Sequence, residues 1–424
     1  MSFYFTNTVF QKLQEQYPTW EQLQDYLESE EGGLLRVTDH NEQSGLFLIR
    51  YEKGVSNMEL PHTKWFRSVV WDRTTHSPVS VAPPKSSSLE FSFLTRQDAN
   101  NQGVVIQEML DGFMINCFKR VGDDTLYVTS RSRINASGQF HSMKSFRQLF
   151  VEAYTGQTVE SAEQMEQIIQ HLSFPSPNPM NQEIAIGCSF LVQHQEHRIV
   201  STIPQNNVTL IHQTITHTDG TVLFQDTPDP SILPGIHAMP LSSIPMDSGS
   251  EEMNTWIHEQ LRSQSWEVQG LVLKDTSGNR WRFRSDAYTA VRSLRGNTPF
   301  GLDRFVQLYL QNLVQPYLQY YPFDSDVFGG YLKMMNYMVR AIYEEYQQLH
   351  VRKTTTINNI NKMYHPHLYA LHGYYLSQLR PAHKKITLNE VYDYLRKQPW
   401  QRVAFLLREI QDIYYEMIRM NLIH

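Results

Sequence analysis

Gln107-Glu-Met-Leu-Asp-Gly-Phe-Met-Ile-Asn116 is the stretch on which the reading of this chain turns. Asp111-Gly112 has the composition of a tight turn, and β-type apolar runs flank it at residues 104–109 and 113–119. Locally the pattern predicts a β-hairpin. More runs rich in branched and aromatic residues, at 125–130, 186–193, 198–203, 268–274 and 279–284, are bounded by Gly, Asp, Asn or Ser and predict further short strands. Residues 143–154, 162–172 and 252–262 predict helices, the second opened by the capping-box pattern Ser161-Ala-Glu-Gln164. Residues 225–250 carry prolines at 228, 230, 234, 240 and 245 and are too long for a plain connector, which predicts a lid or a tether.

After Asn297 the pattern becomes helical throughout. Leu332, Met335, Val339, Ile342, Tyr346 and Leu349 recur at helical spacing and predict one amphipathic helix over 328–350. Thr387-Leu-Asn-Glu390 opens another, and 403–422 makes the last. A length of 424 residues suits two domains. An apolar fraction of 41% with 12% aromatics marks a folded chain. There is no window of 18 apolar residues and no basic-then-apolar leader, so neither a membrane span nor a secretory signal is expected. Two cysteines, Cys117 and Cys188, are no disulfide framework, and a reducing, cytoplasmic setting is expected. The net charge of −6 argues against indiscriminate coating of nucleic acid. Residues 297–424 hold 14 Lys+Arg against 10 Asp+Glu, or +4, and the remainder 23 against 33, or −10.

The neighbours of the opening stretch give it more meaning. Glu108-Met-Leu-Asp-Gly112 resembles the first motif, Lys-x-Asp-Gly, of the viral and phage type-1 RNA ligases of the covalent nucleotidyltransferase superfamily, except that Met109 stands at the lysine. Upstream, Leu48-Ile-Arg-Tyr51, Trp65-Phe-Arg-Ser-Val-Val-Trp-Asp72 and Pro83-Pro-Lys-Ser86 look like the family's lead-in. Downstream, Val128-Thr-Ser-Arg-Ser132 sits at its short Thr-Lys/Arg-Gly-Ser motif, and Phe190-Leu-Val-Gln-His-Gln-Glu-His-Arg-Ile-Val200 looks like the third motif. Val268-Gln-Gly-Leu-Val-Leu273 is similar to the fourth and Trp281-Arg-Phe-Arg-Ser-Asp-Ala-Tyr288 to the fifth. The order is kept across residues 40–296.

This resemblance implies an α+β fold. It would comprise an antiparallel-sheet nucleotidyltransferase (ATP-grasp-like ligase) domain over 1–296 and an all-helical C-terminal domain over 297–424. In that family a lysine amine attacks the α-phosphate of ATP, with a divalent cation, breaking the α–β phosphoanhydride to release pyrophosphate and leave a phosphoramide-linked AMP. The thioether of Met109 cannot form that bond. Leu191 and Gln269 stand where the family has carboxylates, and Arg282 and Arg284 where it has lysines, keeping charge but not proton handling. No catalytic residue is therefore assigned. The resemblance leaves Arg67, Lys85, Glu108, Asp111, Arg131, Arg282 and Arg284 as nucleotide- or phosphate-binding positions, since an arginine fork grips phosphate without catalysing anything.

The expectation is a catalytically inactive, RNA-ligase-like binding or structural component of a large DNA virus, in host cytoplasm or virion. ATP is an optional ligand rather than a required cofactor. Nucleotide or RNA is expected at the cleft and a viral protein partner at the helical domain. The alternative is an ATP-dependent RNA ligase for repair, its lysine engineered away or supplied from elsewhere; Lys119 and Lys274 are both poorly placed for that. A third reading is a filled cleft in which Leu191 and Met109 are core. His365-Pro-His367 with His372 lacks a completing Cys or carboxylate and is not taken as a metal site. Tyr317, Tyr320, Tyr321, Met334, Met335 and Met338 are expected to be helical-domain packing.

Overall fold

The computed structural model describes residues 4–87, 105–226, 228–233, 236, 250–275 and 278–420. The chain forms two compact units, Met1–Ala290 and Val291–His424. The first begins with β1 (Tyr4–Asn7), α1 (Val9–Gln16) and α2 (Trp20–Glu28), followed by β2 (Arg36–Asn41), β3 (Leu46–Arg50), β4 (Val69–Asp72) and β5 (Ser77–Val81). Next come β6 (Val105–Glu108), β7 (Phe113–Arg120), β8 (Asp123–Thr129), α3 (Phe146–Thr155) and α4 (Ala162–His171). β9 (Glu183–Gln193), β10 (Asn207–His217), β11 (Val222–Gln225), α5 (Ser250–Ser263), β12 (Gly270–Lys274), β13 (Arg280–Arg284) and α6 (Asp286–Arg295) follow.

These strands build three antiparallel sheets, ordered β1-β11-β10-β9-β7-β8, β2-β3-β4-β5 and β13-β12-β6. The six-stranded sheet is covered on both faces, which is why β7 reads as a nearly continuous apolar run. Ile115 and Cys117 of β7 pack with Phe150 and Val151 of α3 and Ile169 of α4. Phe118, one residue on and so on the opposite face, packs with Leu46, Leu48, Val70 and Val79 of the four-stranded sheet. Cys117 and Cys188 lie directly opposite each other on β7 and β9, both buried and both free. In the three-stranded sheet, Ile106, Leu271, Leu273, Trp281 and Phe283 share one face with Ile257 of α5.

The expected hairpin at Asp111-Gly112 does not form. Glu108 pairs with Leu271 in the three-stranded sheet, whereas Phe113 pairs with Val192 in the six-stranded one. The turn therefore carries the chain from one sheet to another. Residues 198–203, expected to be a strand, are irregular. Residues 225–250 lie largely outside the described residues.

The second unit is helical: α7 (Gly301–Leu310), α8 (Val314–Tyr320), α9 (Ser325–Tyr346), α10 (His365–Tyr374), α11 (Leu388–Arg396) and α12 (Trp400–Arg419). Met334, Met335, Met338, Val339 and Ile342 form the buried stripe of α9, which runs on as a π-helical turn over Gln347–Arg352. Thr387 and Glu390 cap α11, the Glu390 carboxylate accepting from the Thr387 N–H at 3.0 Å. Tyr317 and Tyr321 are fully buried and stack on each other, their centroids 4.6 Å apart. Among the described residues no helix is long and apolar enough to cross a membrane.

Candidate functional site

Where Phe118 points off the six-stranded sheet, the four-stranded sheet fills the space. Nearer the start of β7, Met114 and Asn116 share that face, and there the packing opens into a cavity of about 250 Å³. Arg67 and Ser68, just before β4, and Ala82, just after β5, enter it from one side, and Ser130, Arg131 and Ser132 from the loop after β8. Gly112, Phe113 and Phe146 complete the wall, the two phenyl centroids 4.9 Å apart. The lining is thus both aromatic and cationic. The Asn116 amide oxygen accepts from Ser189 Oγ at 2.7 Å, leaving Nδ2 as the group it can offer a ligand.

Arg67 is held by the backbone on either side of it. Phe66 O accepts from Tyr51 N at 2.6 Å and Ser68 O from Ala82 N at 3.0 Å. Its half-buried guanidinium has no carboxylate partner among the described residues. Burial, and then the charges of Arg280, Arg131 and Arg282, push it down to about 10, with Tyr51 opposing them. Arg131 is exposed and lies over the Tyr51 ring, Cζ 4.9 Å from the centroid. Lys85 approaches the same ring at 5.7 Å. Arg282 lies on β13 opposite Val272, and Arg284 opposite Gly270, so both share the face of the three-stranded sheet turned away from Leu271 and Leu273.

The structure thus brings Arg67 and Arg131 into one cavity, with Arg282 close enough to Arg67 to act on its charge. Lys85 and Arg284 do not line the cavity, and two further expected positions, Glu108 and Asp111, are held in other roles. Glu108 is opposite Leu271, on the face packed against α5 rather than the arginine face. Asp111 is 5% exposed and fully engaged: Oδ2 accepts from Val200 N at 2.8 Å and Ser201 N at 2.9 Å, and Oδ1 from the Tyr288 hydroxyl at 2.8 Å. Met109 and Leu191 are half-buried and not core, and the Met109 N–H pairs with Gly270 O at 2.8 Å. Gln269 is buried. Gly112 must be glycine, because a Cβ there would sit 2.5 Å from Val192 O.

A buried charge cluster was not foreseen. Asp226 accepts from Lys274 Nζ at 3.2 Å and Arg280 Nη1 at 3.1 Å, with His212 Nδ1 at 3.9 Å. Burial, with help from Arg280, pushes the Lys274 amine down to about 7 against the pull of Asp226. The only sequence signal was a lysine ending the apolar run Leu271-Val-Leu-Lys274. Asn116 and Ser130 were also missed; a polar residue in the middle of Phe113-Met-Ile-Asn-Cys-Phe118 was the available clue. In the helical unit, His367 bonds the Tyr394 hydroxyl at 3.0 Å, His365 bonds Ile360 O at 2.9 Å, and His372 stacks on His350 at 3.8 Å.

No described protein family matches the sequence, and no curated protein does. Solved structures of RNA ligases are similar in part. An archaeal ATP-dependent RNA ligase matches with a TM-score of 0.36 and 10% identity over 77% of this chain and 74% of that one. An alanine mutant of the Naegleria gruberi RNA ligase with ATP and Mn matches with a TM-score of 0.30 and 14% identity, over 49% of this chain and 57% of that one. At such scores the likeness assigns no role to any residue.

Proposed function

We propose that this chain is a non-catalytic, RNA-ligase-like protein that holds a phosphate-bearing ligand, a nucleotide or an RNA end, in the Arg67–Arg131 cavity. The supporting observation is Arg67 itself. A guanidinium packed beside other arginines, with no carboxylate among the described residues to offset it, is costly in an empty site and favourable in one occupied by an anion. Two arginines, hydroxyls and an amide donor are the groups that phosphate oxygens accept from. A volume near 250 Å³ falls below the usual range for larger ligands and suits a phosphate with a small organic body against Phe113 and Phe146.

The absence of catalysis in this reading rests on Met109, since a thioether gives no phosphoramide. Lys274 has the amine nearest neutrality, but it is 2% exposed and held by the carboxylate and the carbonyl oxygen of Asp226. The proposed setting, a large DNA virus with a protein partner on the helical unit, comes from the sequence resemblance alone.

Calorimetric titration with 5′-AMP tests the binding half. Saturable binding that is weakened by Arg67→Ala supports it, and no binding refutes it. Transfer of label from α-phosphate-labelled ATP tests the other half. A covalent, acid-labile adduct would overturn the non-catalytic reading.

A further inference from the structure

We infer that this site takes its phosphate ligand without a divalent cation, arginines supplying the charge that a metal would. The inference rests on the phosphate-ligand reading above. It departs from the ATP and divalent cation that the sequence resemblance implies for an active ligase.

A hard cation such as Mg²⁺ or Mn²⁺ needs oxygen ligands, carboxylates foremost. Among the described residues the cavity wall has none: its polar groups are Arg67, Arg131, Asn116, Ser68, Ser130 and Ser132. Among the described residues, three candidate carboxylates, Asp111, Asp226 and Glu108, are committed or turned away. Asp111 accepts three hydrogen bonds, from Val200 N, Ser201 N and Tyr288, and these fix both of its oxygens. Asp226 is buried between Lys274 and Arg280. Glu108 is on the α5 side of its sheet by register. Positions 191 and 269, where the resemblance calls for carboxylates, hold Leu and Gln. Among the described residues no three His, Cys, Asp or Glu gather where an ion could sit.

The electrostatics point the same way. Arg67 already feels Arg131, Arg280 and Arg282, and among the described residues only Arg280 of these has a carboxylate partner, Asp226. A dication would add positive charge where positive charge is already uncompensated, whereas a phosphate would offset it. Arg67 and Arg131 present planar forks, a geometry that matches phosphate oxygens directly.

The experiment is a titration of the full chain with 5′-AMP, and separately with inorganic phosphate, in EDTA and again with Mg²⁺ or Mn²⁺. The expected result is binding in EDTA, with an affinity that either metal changes by less than about threefold. Arg67→Ala, or the exposed Arg131→Ala should the first fail to fold, should weaken binding by about tenfold or more in both conditions. Tightening by about threefold or more on adding metal overturns this inference and leaves the phosphate-ligand reading standing. So does Mn²⁺ bound to the unliganded protein in paramagnetic resonance. Failure of both probes with and without metal, or variants that bind as the parent does, overturns both.

Discussion

Tyr288 donates its hydroxyl to Oδ1 of Asp111 across 2.8 Å, joining residues 177 positions apart, both buried. The same carboxylate accepts two backbone N–H groups from the 200–201 segment, so it acts as a knot between the crossover turn, that irregular segment and the start of α6. Asp111→Ala should therefore cost about 2–4 kcal/mol of stability, because three donors lose their acceptor together. Tyr288→Phe should cost about 1 kcal/mol. Chemical denaturation measures both, and an unchanged midpoint for Asp111→Ala would mean that the carboxylate is not structural.

Arg67→Met should act in the opposite direction. It removes a charge without a carboxylate partner and keeps the packing of the stem, so stability should rise by about 1 kcal/mol while phosphate binding is lost. Saturating phosphate should stabilise the parent protein and leave the variant unmoved. A variant less stable than its parent would show that Arg67 has a structural partner.

Gly112→Ala should destabilise by about 1–3 kcal/mol, since the new methyl meets the Val192 carbonyl at 2.5 Å. The backbone there has nowhere to retreat, as the turn is anchored by Asp111 on one side and by the β7–β9 ladder on the other. Thermal unfolding of the variant measures this, and a midpoint equal to the parent's would contradict it.

Acid should weaken the fold through His212. Burial pushes this imidazole down to about 3 despite Asp226, and Nε2 lies 2.9 Å from Val81 O. As pH falls from 6.5 the unfolded chain takes a proton there and the folded chain does not, so stability is lost progressively down to about pH 3. The limiting loss is about 5 kcal/mol. His212→Gln should flatten that limb of a stability–pH curve, and an unchanged slope would exclude His212 as its source.

Lys274 titrates in the next window. Its folded value of about 7 lies below the ordinary 10.5, so between those values the unfolded state binds the extra proton and stability rises with pH. Lys274→Met leaves Asp226 paired with Arg280 and should remove most of that rise. A rise that persists in the variant would point to another group.

How much was legible in the sequence depended on the range of the interaction that decides each element. Helices with local signals were readable. Ser161 Oγ accepts from Gln164 N at 3.1 Å and starts α4, although the Gln164 amide oxygen reaches the N–H of Glu160 rather than of Ser161. The Thr387–Glu390 cap and the α9 stripe are local in the same way. The Asp111-Gly112 turn was legible as a turn but not as a crossover, because its partners, Leu271 and Val192, are far away in sequence. Residues 198–203 have strand composition, but the N–H groups of Val200 and Ser201 go to Asp111 instead of a ladder. At the cavity, Arg67 and Arg131 were nameable one by one. Their shared lack of a carboxylate partner among the described residues is a three-dimensional property, and so is the engagement of Asp111.

The facing thiols of Cys117 and Cys188 give the molecule a built-in clock. Burial pushes both thiols up, so neither carries appreciable thiolate while the six-stranded sheet is intact. An alkylating reagent can react only when α3 and α4 lift from the face of β7 and β9 that carries both thiols. Its rate of incorporation under native conditions therefore counts the openings of the helical cover on the sheet that forms one wall of the cavity, with no engineered probe.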